Sequence, residues 1–223
     1  MTTVAYIVRR GDDNEELRYS LRSLINMPHT NVLLVGHHPT WARSVDHLPV
    51  EQVLDDKQAN AVRLFTMLSV HGPDEFVLFN DDFFCMSPVA GPPPVEHRGM
   101  LIEHARRLRG GRYGAMLHRT AAVLAAVGYR DALAYTMHKP MTMSRRLLAD
   151  TMEFQRIDPA LSWRSMYGNL CHLGGAPADD VKLSGAGPVP RGPWISTSDA
   201  SFKYHKVGEA IRQRFPLPSP YET

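Results

Sequence analysis

The chain has 223 residues, 43% of them hydrophobic, enough to bury one sizeable core but short for two full domains, so one domain over 1–223 is the default reading. With 25 Lys and Arg against 23 Asp and Glu, the net charge of +2 gives no general pull toward nucleic acid or acidic membranes. Any anion must therefore be held locally.

The opening MTTVAYIVRRGDDNEE carries an apolar run too short for a signal-peptide core or a membrane span, and a cytoplasmic location is expected from it. Short apolar runs then alternate with amphipathic stretches, which predicts an α/β fold on a mostly parallel sheet with flanking helices. Strands are expected at 3–8, 31–36, 50–54 and 75–80. Between the first two, a helix over 13–26 places Leu17, Leu21, Leu24 and Ile25 on one stripe, with Asp13 or Asn14 as N-cap. A second helix over 58–71 carries Ala61, Leu64, Phe65 and Leu68 on one face. Residues 1–87 thus form a β-α half, closed by the proline-rich connector 88–95. The half over 96–215 reads as mainly helical, with candidates at 98–109, 117–127, 143–154, 162–171 and 205–214. A Gly/Pro-rich stretch over 185–193 and the strand WIST precede the last helix, and the tail PLPSPYET reads as loose. Cys85 and Cys171 lack the paired spacing of a zinc site and read as reduced thiols.

The strongest chemical signal is FVLFNDDFF. It ends a buried strand with Asn80, Asp81 and Asp82, at the sheet end where ligands bind in open α/β folds. Adjacent carboxylates point opposite ways on an extended chain, so one would face a divalent metal or substrate while the other orients a neighbour. An Asx turn with solvated acids is the alternative. In DDNEELRYSLRSL, Arg18 and Arg22 stand one turn apart near a helix N-terminus, a corner suited to a diphosphate, or else a surface of solvated ion pairs. His138 and Lys139 precede Pro140, which holds the histidine in an extended loop where it can act as a base or hold a phosphate. Arg164 beside Trp163 also reads as a packed surface arginine. No GxGxxG, GxxxxGK[ST], GxSxG or HExxH motif is present, which removes the usual dinucleotide, P-loop, hydrolase and metalloprotease readings.

The ordered set DDNEELRYSLRSL, QANAV, FVLFNDDFF and MHKP resembles the Stealth family of sugar-1-phosphate transferases, relatives of bacterial capsule polymerases and of the lysosomal-enzyme N-acetylglucosamine phosphotransferase. LSWRSMYGN and WISTSD are weaker matches, and YIVRRGDD lacks the family's Trp-Val-Asp. The resemblance implies a nucleotide-sugar donor, a polysaccharide, glycan or protein acceptor, and Mg²⁺ or Mn²⁺ on Asp81 or Asp82. It further implies Arg18 and Arg164 on the diphosphate, His138 at the transferring phosphoryl, and donor contacts from Asn60. The same motifs offer Asn14, Arg22, Asn80, Lys139 and Asp199 for binding. A GT-A-like glycosyltransferase that moves only the sugar is the alternative.

Overall fold

The computed structural model describes residues 2–11, 13–53, 56–108, 110–188 and 192–223. Asp12 of the first motif, Leu54 and Arg109 at the ends of an expected strand and helix, and 189–191 of the Gly/Pro-rich stretch lie outside them.

The chain begins with β1 (Thr3–Val8), α1 (Glu15–Ser23) with a 3₁₀ turn over Leu24–Asn26, β2 (Asn31–Gly36), β3 (Asp46–Pro49), α2 (Lys57–His71) and β4 (Glu75–Asn80). β5 (Phe83–Cys85), β6 (Glu96–His97), α3 (Leu101–Arg107), α4 (Gly111–Ala126), β7 (Met141–Ser144), α5 (Arg145–Ile157) and α6 (Trp163–Leu170) follow. β8 (Ala176–Pro177), β9 (Lys182–Leu183), β10 (Trp194–Thr197), α7 (Asp199–Tyr204) and α8 (Lys206–Arg214) complete it.

The main sheet has the order β3-β2-β1-β4-β7, parallel except for β7, which runs antiparallel to β4. The central strands are apolar on both faces because both are covered. Val4, Tyr6 and Val8 pack with Leu17, Leu21 and Leu24 of the α1 segment, while Ala5, Leu33 and Leu78 pack with Leu64, Phe65 and Leu68 of α2. Ile25, expected on the apolar stripe, is exposed because the 3₁₀ turn ends the helical periodicity.

Several boundaries differ from expectation, the helix expected over 117–127 among them, since it begins at Gly111. The third strand lies at Asp46–Pro49, with residues 50–53 outside it, because an edge strand needs neither two apolar faces nor every amide. The expected helix over 143–154 starts at Arg145, since Met141 and Met143 are buried as alternating residues of β7. The tail expected to be loose is docked instead: Glu222 is buried, and the Arg43 amide donates to the Tyr221 carbonyl at 3.0 Å.

A second sheet, β5-β10-β9, begins directly after Asp82. β5 pairs antiparallel with β10, which pairs parallel with β9 and sets Ser196 beside Lys182. This sheet folds the last third of the chain over the end of β4. Among the described residues no helix is long and apolar enough to cross a membrane.

Candidate active site

Asp81 and Asp82 leave β4 at its C-terminal end and are both nine-tenths buried. Asp81 Oδ2 accepts from Arg9 Nε at 3.3 Å, and Arg9 also reaches Asp199 Oδ1 at 3.4 Å. Burial pushes the Asp81 carboxyl up to about 6 despite Arg9, with Asp82 and Asp199 adding to the rise. Asp82 Oδ2 accepts from Ser196 Oγ at 3.2 Å and from the Lys182 ammonium. Asp82 Oδ1 is shielded from solvent and has no hydrogen-bond partner. α1 adds a further acid: burial raises Glu16 to about 7, although Thr197 Oγ1 donates to it at 2.8 Å.

Arg164, on α6, lies at the other side of this group. It is 8% exposed, stacks 4.9 Å from the Trp163 ring centre, and donates through Nη1 to the Lys139 carbonyl at 2.8 Å. Its Nη2 has no partner, and burial lowers its pKa to about 10 against the opposing pull of Asp180 and Asp82. Asp180 accepts from the His138 backbone amide at 2.8 Å and lies 2.7 Å from His138 Nδ1. Burial alone would raise Asp180, but the His138 hydrogen bonds and charge hold it at about 2. An ionised Asp180 can only accept, so Nδ1 carries the proton and Nε2 of a neutral His138 is left with its lone pair.

The expected residues therefore divide. Arg9 bridges Asp81 and Asp199, Arg164 feels the charges of both Asp82 and Asp180, and Asp180 holds His138, so these residues link into one polar strip that starts at the end of β4. Asn80 ends β4 itself, opposite Ile7 of β1. Lys139 is next to His138 but pairs with Glu96. Asn14 caps α1 in a left-handed conformation with φ 46°, donates to the Arg9 carbonyl at 3.0 Å, and keeps Oδ1 buried without a partner.

Arg18 and Arg22 are not on the strip. Arg22 makes a two-pronged pair with Glu222 at 2.8 and 2.7 Å, and Arg18 lies 3.5 Å from the same carboxylate and 4.5 Å from the Trp41 ring centre. The α1 end that reaches the carboxylates offers Glu16, because Arg18 and Arg22 lie further along the helix. Asn60 likewise spends its amide on the Val53 backbone, at 2.7 Å in each direction.

Sequence reasoning missed Arg9, Glu16, Asp180, Lys182 and Ser196. Arg9 follows β1 as Asp81 follows β4, a signal that was readable, whereas Asp179-Asp180 is one of four Asp-Asp pairs in the chain and does not stand out by itself. Nothing local marks Lys182, whose strand is two residues long.

Among the described residues no three His, Cys, Asp or Glu side chains converge as a protein-only metal cage. Two carboxylates do suit an ion such as Mg²⁺ that takes its remaining ligands from phosphate and water, and the unpartnered Asp82 Oδ1 is an available donor.

No family model matches the chain, and neither does any curated protein. Among solved structures, a galactosyltransferase, LgtC, in complex with donor and acceptor sugar analogues overlays with a TM-score of 0.53 at 9% identity, over 98% of this chain and 96% of that one. An active-site mutant of LgtC overlays at 0.45 with 11% identity, over 99% of this chain and 85% of that one. The first of these likenesses is one of fold: the chain has a GT-A-like architecture, a mostly parallel sheet with flanking helices.

Proposed function

We propose that the chain is a nucleotide-sugar-dependent transferase acting at the strip from Asp81 to His138, and that it moves a sugar-1-phosphate. The observation that carries this reading is the under-paired carboxylate pair at the end of β4, with the unpartnered Arg164 Nη2 and the His138–Asp180 pair beside it. A diphosphate supplies acceptors for Arg164 and, with a divalent ion, completes Asp82. That ion would be held by Asp81 and Asp82 and would supply charge neutralisation to the leaving nucleotide. His138 Nε2 takes the proton of the acceptor hydroxyl, and Asp180 stabilises the imidazolium so formed. The acceptor oxygen then bonds to the phosphorus that carries the sugar, and the bond from that phosphorus to the nucleoside monophosphate breaks. The resemblance to the Stealth family supports the same bond choice.

The second reading is transfer of the sugar alone, favoured by the fold likeness to a galactosyltransferase. There the bond forms at the anomeric carbon and a nucleoside diphosphate leaves. The two separate on one measurement: incubate the protein with Mn²⁺ or Mg²⁺, a panel of UDP- and GDP-sugars and candidate acceptors, and identify the released nucleotide. UMP or GMP is expected. UDP or GDP would replace the first reading by the second.

A further inference from the structure

Lys182 has no role in the motifs above. Its place in β9 follows from the register with β10, which sets it beside Ser196 so that both side chains converge on Asp82 Oδ2. The ammonium also donates to the Thr197 carbonyl, so two of its three N–H groups are spent within the protein. Its side chain keeps 21% exposure, which leaves the charged head between a buried carboxylate and the solvent side of the strip.

Two atoms of residues more than nine-tenths buried are unpartnered here, and they ask for opposite things. Asp82 Oδ1 lacks a donor or cation, and Arg164 Nη2 lacks an acceptor. A divalent ion alone would satisfy only the first and would press against the Lys182 ammonium on the same carboxylate. A diphosphate alone would satisfy only the second. The two together satisfy both, and phosphate oxygens give Lys182 a new partner when it leaves Asp82. A lysine suits such an exchange because its charge is compact and its stem flexible.

We propose that Lys182 is a placeholder cation: it occupies Asp82 in the free protein, keeps a divalent ion off that carboxylate until a nucleoside diphosphate is present, and then serves as a diphosphate ligand. This rests on the nucleotide-sugar reading and adds a role to it. Metal and nucleotide affinities are then strongly and reciprocally coupled.

The test is a Mn²⁺ titration followed by water-proton relaxation, on the wild type, Lys182→Met and Lys182→Arg, each with and without UDP. Without UDP, Lys182→Met is expected to bind Mn²⁺ at least tenfold more tightly than the wild type, and Lys182→Arg to stay within threefold of it. UDP is expected to tighten Mn²⁺ binding at least a hundredfold in the wild type and at least tenfold less than that in Lys182→Met. Equal Mn²⁺ affinity of wild type and Lys182→Met without UDP overturns the placeholder role and leaves the transferase reading standing. Absence of Mn²⁺ binding in every variant with UDP present overturns both. Should Lys182→Met fail to fold, the wild-type titration decides alone, since Mn²⁺ affinity indifferent to UDP contradicts the proposal.

Discussion

Two groups of buried charge touch α1, and they are built on opposite principles. At one, Glu222 is 1% exposed and every part of it is answered: Arg22 grips both oxygens, Arg18 approaches from one turn earlier, and Ser219 donates through its amide and hydroxyl at 2.9 and 3.0 Å. Burial would raise the Glu222 pKa, yet Arg22 and Ser219 pull it below its ordinary value. At the other, Arg9 pairs with Asp81 and Lys182 with Asp82 while Glu16 has only the Thr197 hydroxyl, Asp82 Oδ1 and Arg164 Nη2 are unpartnered, and Asp81 and Glu16 are held well above their ordinary values. A buried charge group that closes on itself reads as structure. One left open, at the sheet end where α/β proteins bind ligands, reads as a site prepared for something that completes it.

Breaking each group in turn sharpens the contrast. The largest effect is expected at the open one: Asp81→Asn or Asp82→Asn should each lower donor turnover by about a thousandfold, because charge neutralisation at the leaving group is the main catalytic contribution. Nucleotide release assays check this. His138→Ala should cost about a hundredfold in kcat, in the range of general-base catalysis, and Asp180→Asn a smaller factor through misplaced protonation of the ring. A pH profile of kcat separates the two variants from a merely structural loss.

At the closed group, Arg22→Met should destabilise the fold by about 3 kcal/mol, since Glu222 would stay buried without its principal partner, whereas Arg22→Met with Glu222→Leu should recover most of that loss. Urea unfolding measures both, with turnover per folded molecule unchanged in the double variant.

The smallest expected effect is on pH dependence, and it runs against the usual direction for acids. Because the folded state holds Asp81 near 6 against an ordinary 3.8, the folded protein binds its proton more tightly, so stability falls as pH rises between those values. Glu16, raised to about 7, extends the fall toward neutrality. Asp180, held at about 2, acts in the opposite sense, but only below the ordinary value of 3.8. Asp81→Asn should therefore match the wild type near pH 4 and exceed its stability by about 2 kcal/mol at pH 8, measured by urea unfolding at each pH.

Much of the scaffold was legible because its central strands obey simple rules. Strands 3–8, 31–36 and 75–80 are apolar on both faces and sit where the run lengths placed them. β3 was misplaced because an exposed edge carries no hydrophobic pattern. Of the candidate site, the carboxylates after β4 were offered by a strand end, His138 by its place before Pro140, and Arg164 by motif resemblance. Arg18 and Arg22 misled because a conspicuous arginine pair says nothing about its partner, which lies two hundred residues along the chain, at Glu222. Lys182 and Ser196 were invisible for the same reason: their meaning arises only when β9 and β10 close over Asp82.

The most direct test of the central claim is calorimetry of UDP with Mn²⁺ on three proteins: the wild type, Asp82→Asn, and the Arg22→Met Glu222→Leu double variant. Binding is expected in the wild type, with at least a tenfold loss in Asp82→Asn and affinity within threefold of wild type in the double variant. Retained affinity in Asp82→Asn, with loss in the double variant, would contradict it and return the nucleotide to the arginines of α1.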